Sequence, residues 1–353
     1  MKTIRIAMLA ALAGGVTGAA SGQNILITEH NTQTVYKMNV YTNVITPLIT
    51  YGDPNIRLAG IERGPGGAFY VANGPLPVQD PSTATIFKIK GLLGGAPVSS
   101  VFAQNDPLQN PIGLRYHAPT NNLLVVNNPP ENSMQQPAFD GILGYDLSNG
   151  NMTQVFQQAP SGDPPPVYRQ GARMIVDPSG AGDYIATSLN GGVYDGGSGD
   201  LNKGSTLWRV NVDGSLNGTM SLLVDLSNTS IGTPLTFVRG VAAGPAGELY
   251  ITDLSTDTLY RIDLDGGGNF SSIASVVSIT QGSGMLDVVY HPITNKLYFS
   301  TSNSDELYSV NLDGSGLSLI ASNFEARNFY LVPAPGSLAL LGIGSLVAMR
   351  RRR

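Results

Sequence analysis

One short unit recurs along most of this 353-residue chain, and that recurrence restricts the fold more than any composition figure does. Three patterns follow one another in fixed order. The first is an apolar stretch running into proline: Gly60-Ile61 towards Pro65, Gly113-Leu114 towards Pro119, Arg173-Met174 towards Pro178, Gly240-Val241 towards Pro245, Asp287-Val288 towards Pro292 and Asn328-Phe329 towards Pro333. The second follows a turn and is typified by Leu249-Tyr250-Ile251-Thr252-Asp253, with copies ending at Glu29, Asn73, Asn127, Thr187 and Thr301. The third alternates large and polar residues, as in Thr258-Leu259-Tyr260-Arg261-Ile262, with copies around Tyr36, Phe87, Leu143, Trp208 and Tyr308. Each is a β-branched and aromatic run bounded by Gly, Pro, Asn or Asp, which reads as a strand.

A fourth strand follows a hairpin turn such as Asp213-Gly214, Asp265-Gly266 or Asp313-Gly314. Asp-Gly between alternating runs is a strong hairpin signal because it supplies the positive φ the tight turn needs. Four antiparallel strands repeated about every 40–65 residues are the pattern of a β-propeller blade. The first copy begins at the second pattern, and the last segment is a first pattern with nothing after it. The expectation is therefore an all-β, six-bladed β-propeller of four-stranded antiparallel blades over residues 24–332, its ring closed by the C-terminal strand completing the first blade. Closure in this way removes the open edges of a linear array.

The two ends read as addresses. Residues 1–23 run from Lys2 and Arg5 through an apolar stretch to Thr17-Gly18-Ala19-Ala20-Ser21, the order of a secretory signal peptide. At the other end, 333–353 carry Pro333-Ala334-Pro335, an apolar run to Met349, and then Arg350, Arg351, Arg352 and Arg353. Thirteen apolar residues are short for a span of about 20, and the arginines would stop transfer and stay cytoplasmic. This tail resembles the PEP-CTERM sorting signal of Gram-negative bacteria, with Ala334 where that signal usually has Glu. The resemblance implies export across the inner membrane of a Gram-negative-type bacterium, secretion or cell-surface display, an exosortase-type sorting enzyme as a partner, and membrane contact only through the tail.

Composition then narrows the partners. Charged residues make up 13% of the chain, about half the usual 25%. Of the 20 basic residues six lie in the two end segments and none of the 25 acidic ones do, which leaves 14 against 25 in the body, a net charge of −11. Such a body does not seek nucleic acid by counterion release. With no cysteine, thiolate nucleophiles, disulfides and Cys-ligated metals are excluded. No His-Glu-x-x-His, Gly-x-Ser-x-Gly or Walker motif occurs, and His117 and His291 occupy matching repeat positions, which explains their recurrence without a metal.

The segment Gly240-Val241 to Pro245-Ala246-Gly247-Glu248-Leu249-Tyr250-Ile251-Thr252-Asp253 resembles the NHL and SMP-30/gluconolactonase-like six-bladed group. That group includes lactonases, lyases, peptide-binding modules and surface proteins, so fold does not choose function. Its lactonases hold calcium in the central channel where the innermost strands begin. The matching positions here supply Gly60, Gly113, Arg173, Arg239, Asp287, Arg327 and Asn328, of which only Asp287 and Asn328 offer oxygen ligands against calcium's usual six to eight. No cofactor is expected, calcium being the one metal the resemblance leaves open.

Two readings of the channel mouth remain. Arg173, Arg239 and Arg327 form a cationic ring that takes a carboxylate or phosphate, or Asp287 and nearby carboxylates neutralise them. A second candidate region is the face that carries the loops between second and third strands and between blades. Long insertions fall there at 74–84, 128–140 and 189–204, with long blade connections at 159–170 and 227–238; the residues singled out on them are Asp80, Glu131, Tyr168, Tyr194, Asp195 and Asp200. Clustered loops on one face are a usual place for binding. The functional expectation is a non-enzymatic propeller that binds a protein partner or extracellular polymer through this face. The alternative is an extracellular lactonase or lyase-like enzyme working in the channel, so catalysis is left undecided with a lean against it.

Overall fold

A computed structural model describes residues 24–74, 84–104, 107–128, 141–157, 171–188, 204–227 and 230–333. Among these residues, 24 strands make six four-stranded antiparallel sheets. Blade 1 holds β1 (Asn24–Glu29), β2 (Thr34–Asn39) and β3 (Ile45–Thr50), and blade 2 holds β4 (Leu58–Arg63), β5 (Phe69–Asn73), β6 (Thr85–Lys90) and β7 (Val98–Gln104). Blade 3 is β8 (Pro111–His117), β9 (Asn122–Asn127), β10 (Gly141–Asp146) and β11 (Met152–Gln157); blade 4 is β12 (Gly171–Val176), β13 (Tyr184–Ser188), β14 (Thr206–Val212) and β15 (Gly218–Asp225). Blade 5 is β16 (Val238–Ala243), β17 (Leu249–Asp253), β18 (Thr258–Leu264) and β19 (Phe270–Ser278); blade 6 is β20 (Met285–His291), β21 (Lys296–Thr301), β22 (Glu306–Asn311) and β23 (Ser318–Ser322).

The last strand, β24 (Ala326–Leu331), does not start a seventh blade. It pairs antiparallel with β1, Ile25 opposite Leu331 and Ile27 opposite Phe329, and becomes the innermost strand of blade 1. The expected six-bladed ring, closed by the C-terminal strand, is thus the observed one.

Why these segments stack is visible in their alternation. Second strands are buried on both faces, so they read as nearly continuous apolar runs. In β1, Ile25 and Ile27 face the cluster shared with blade 6, with Tyr298 and Leu307, while Leu26 faces the cluster shared with blade 2, with Leu58 and Phe69. Six apolar clusters form in this way among the described residues, one at each blade interface. Outer strands face solvent and carry exposed apolar residues only singly, such as Val101 and Leu319.

Inner strands β4, β8, β12, β16, β20 and β24 contact one another in that cyclic order and line the central channel. Each starts on the face of the blade-to-blade loops and runs to the opposite face. Each also carries a register shift near its start, between Leu58 and Ile61, Pro111 and Gly113, Gly171 and Met174, Val238 and Val241, and Met285 and Val288, and in β1 opposite β24 between Thr28 and Glu29. A bulge puts two residues opposite one and re-aims side chains. Here it aims them at the channel.

The bulges are held by the next-to-last residue of the second strand. Thr252 Oγ1 accepts from Gly240 N at 3.0 Å and donates to Leu286 O of the next blade at 3.0 Å. Thr187 does the same between Arg173 N, 2.9 Å, and Arg239 O, 3.2 Å, and Thr28 donates to Ala59 O. Neighbouring inner strands approach so closely there that a Cβ on Gly60 would lie 2.4 Å from Ile112 O, and one on Gly240 2.8 Å from Asp287 Cα.

Candidate functional site

Aligned on their bulges, the inner strands separate the charged residues into tiers. Arg239 and Arg327 occupy the first bulge position, and Arg173, Asp287 and Asn328 the second. The sequence expectation grouped these five at one mouth. The structure places them one residue apart in register, and that single step changes their surroundings.

The second-position tier crosses the channel. Arg173 is 7% exposed; its Nη2 donates to Phe329 O at 2.9 Å, on the inner strand three places round the ring, and its Nε lies 3.4 Å from Asp287 Oδ1. Neither Arg173 Nε nor Asp287 Oδ1 has a hydrogen-bond partner among the described residues, so the pair is held by Coulomb attraction at contact distance. Asp287 Oδ2 accepts from Phe329 N at 3.2 Å, and Asn328 Oδ1 from Ile61 N at 3.4 Å. Burial pushes the Asp287 carboxyl up to about 6 while Arg173 pulls it back; burial likewise lowers Arg173, which Asp287 opposes.

A second ion pair, in a third and deeper tier, was not foreseen from the sequence. Glu62 and Arg115 sit in the fifth positions of β4 and β8, with Arg115 Nη1 2.8 Å from Glu62 Oε2 and its Nε donating to Met174 O at 2.9 Å. Burial raises Glu62, and Arg115 counteracts it. Its signal was present as a Glu and an Arg at equivalent places of neighbouring repeats.

These residues do not suit the calcium that the resemblance implied. Both Asp287 oxygens and the Asn328 carbonyl are turned to protein donors or to Arg173, whose guanidinium stands beside the carboxylate where a cation would sit. Among the described residues no group of three His, Asp or Glu side chains is placed to hold a metal.

The mouth on the loop face has a different make-up. Arg327 pairs with Glu325, and the Arg239 guanidinium lies 5.8 Å from the centre of the Phe237 ring. Arg57, which the sequence reading missed, stands immediately before β4, in the register position that Glu325 holds before β24. Its own backbone N–H donates to Asn73 Oδ1 at 2.6 Å. His30, in the turn immediately after β1, is 6% exposed. Its ring is held down to about 3 by burial and then by Arg327, Arg57 and Arg239, so it is neutral at ordinary pH. Glu325 is driven up to about 7 by burial, with Arg327 opposing and Asp305 and Glu29 adding to the rise.

The other histidines are structural. His117 Nδ1 lies 2.8 Å from Thr120 Oγ1 and His291 Nδ1 3.2 Å from Thr294 Oγ1, the same turn in two blades. Trp208 Nε1 donates to Thr206 Oγ1 and the ring packs at the blade 3–blade 4 interface. Asp80, Glu131, Tyr168, Tyr194, Asp195 and Asp200 lie outside the described residues, as do Ala334, Pro335 and Arg350 to Arg353; Pro333 is described and exposed. No helix among the described residues is long and apolar enough to cross a membrane.

No family model and no curated protein matches the chain in sequence. Solved structures do match in fold. A chain of a nidogen/laminin complex superposes with a TM-score of 0.57 at 13% identity, over 85% of this chain and 92% of that one. A structural-genomics protein of unknown function from Bacteroides thetaiotaomicron gives 0.53 at 11%, over 81% and 66%. A calcium-binding regucalcin from Agrobacterium tumefaciens gives 0.49 at 15%, over 76% and 75%. At these identities the likeness is one of fold.

Proposed function

We propose that this protein is an exported, surface-sorted propeller that binds a protein partner or extracellular polymer through the face carrying the blade-to-blade loops. One observation carries the reading. The ends of β5, β9 and β13, from which the long insertions depart, the starts of all six inner strands and the arginine-bearing mouth share one face, whereas the chain leaves the ring at the other, where Val332 N donates to Asn24 O at 3.2 Å. If the tail is sorted or anchored as its PEP-CTERM-like order implies, with an exosortase-type enzyme as processing partner, the loop face points away from the membrane. Nucleic acid is a poor partner for a body of net charge −11, and the membrane is met only through 333–353.

A channel enzyme is less well supported, because Arg173 runs from one inner strand to another three places round the ring at mid-depth and engages Asp287 on the way. The deciding experiment is retention of the purified protein on glycan, matrix and envelope fractions, beside turnover on lactone and ester panels. Retention without turnover, lost when 75–83, 129–140 and 190–203 are shortened, is the expected result. Retention unchanged by those deletions would overturn the face assignment, and turnover abolished by Asp287→Asn would favour the enzyme.

A further inference from the structure

The loop-face mouth gathers cationic side chains from three blades. Arg57 precedes β4 and Arg239 is the second residue of β16, and these two inner strands lie three places apart in the six-membered ring. Arg327 is the second residue of β24, next to β4. Arg57 Nε and Arg327 Nε are buried with no hydrogen-bond acceptor among the described residues. A buried guanidinium N–H without an acceptor is costly, and each such group in a folded protein calls for an explanation.

The acidic groups around the mouth do not supply the missing acceptors. Glu29 is committed to its own turn, taking Asn31 N at 2.9 Å, Thr32 N at 2.7 Å and the Thr32 hydroxyl. Asp305 takes Asn31 Nδ2 at 3.2 Å. Glu325 faces the terminal Nη2 of Arg327 and leaves its Nε unmet. His30, buried and kept neutral by that burial and then by the charges of Arg327, Arg57 and Arg239, adds no charge.

We infer that this mouth is a binding site for one carboxylate group of the ligand, held by Arg57 and Arg327 with Arg239 facing them across the channel. Guanidinium forks match a planar carboxylate in shape and give paired, charge-assisted bonds. Charge sets the class further. Glu325, Asp305 and Glu29 all act on Arg327 beside Arg57, and that acidic surround suits a monoanion better than a dianion. The inference rests on the loop face being the binding face, and it gives that face a chemical preference: a ligand whose exposed end carries a carboxylate, such as an acidic sugar.

Titration of the full chain with glucuronate, glucose and inorganic phosphate tests the site. Saturable binding of glucuronate, none of glucose, and weaker binding of phosphate are expected. Arg57→Gln and Arg327→Gln each weaken glucuronate by about tenfold or more, Arg57→Lys by less, and Arg261→Gln, at the exposed pair with Asp263, leaves it unchanged. No saturable glucuronate binding, phosphate bound as tightly as glucuronate, or equal affinity in Arg57→Gln while Arg57→Lys is equally neutral would each overturn the carboxylate site. Retention on a matrix fraction that survives Arg57→Gln while glucuronate fails to bind would overturn the site alone and leave the loop-face reading standing.

Discussion

Arg173 on β12 and Asp287 on β20 meet at 3.4 Å across the central channel with the whole of β16 between them in the ring. Both are buried, and the facing Nε and Oδ1 atoms have no other hydrogen-bond partner among the described residues. A buried pair of this kind contributes little net stability, yet removing one partner strands the other charge. Arg173→Met or Asp287→Asn alone is expected to cost about 3–5 kcal/mol. The double change Arg173→Met with Asp287→Asn should cost clearly less than the sum. Equilibrium unfolding in urea of all four proteins measures this, and additive losses would show that the two residues do not act as a pair.

The threonine that bridges blades supports a second expectation. Thr252→Val keeps the shape but leaves Gly240 N and Leu286 O without that hydroxyl, and a buried group left unsatisfied costs about 1–3 kcal/mol. Thr252→Ser should recover most of the loss. Ala72 and Val126 occupy the equivalent places in blades 2 and 3, so Ala72→Ser is expected to bring no comparable gain. Thermal unfolding of the three variants separates a hydroxyl effect from a packing effect.

The architecture is legible in the repeats, because period and strand order are properties of the chain. Ring closure followed from an unpaired first pattern at Arg327 and Asn328 and a missing one at Asn24. The site was harder. Arg173 stands five residues before its proline, as Asp287 and Asn328 do, whereas Arg239 and Arg327 stand six before theirs, so the register step is written in the spacing. What the spacing does not show is that one step separates a buried channel crossing from the mouth. Arg57 and His30 are harder to associate, because one precedes the inner strand of blade 2 and the other follows the second strand of blade 1. No local pattern brings them together.

Closure itself is testable. Without Ala326–Leu331 the apolar β1 residues Ile25 and Ile27 lose the strand opposite them, and blade 6 loses its neighbour. An exposed apolar edge invites pairing with other copies. Truncation before Ala326 is therefore expected to give a protein that elutes as aggregate in size-exclusion chromatography. Adding the segment back as a peptide should restore monomer in part, and a monomeric truncation would argue that the ring holds without its closing strand.

The mouth also sets a pH dependence whose sign follows from Glu325. Its carboxyl is raised from 4.5 to about 7, so between those values the folded protein holds a proton that the unfolded chain has released. The contribution is fully present below the unfolded value and lost as pH rises through about 7. Asp287, raised from 3.8 to about 6, acts in the same direction over a lower window. His30, lowered to about 3, opposes them: it favours folding above its unfolded value of 6.5 and withdraws that contribution as pH falls towards 3. Glu325→Gln removes only the first of these. Melting temperatures measured from pH 5 to 8 should decline more steeply with rising pH, or climb less, in the parent than in Glu325→Gln, and parallel profiles would mean that Glu325 does not titrate in this range. The same proton frees Arg327 from its ion pair. Carboxylate affinity should accordingly strengthen from pH 8 to pH 6, and Glu325→Gln should bind with the low-pH affinity at both.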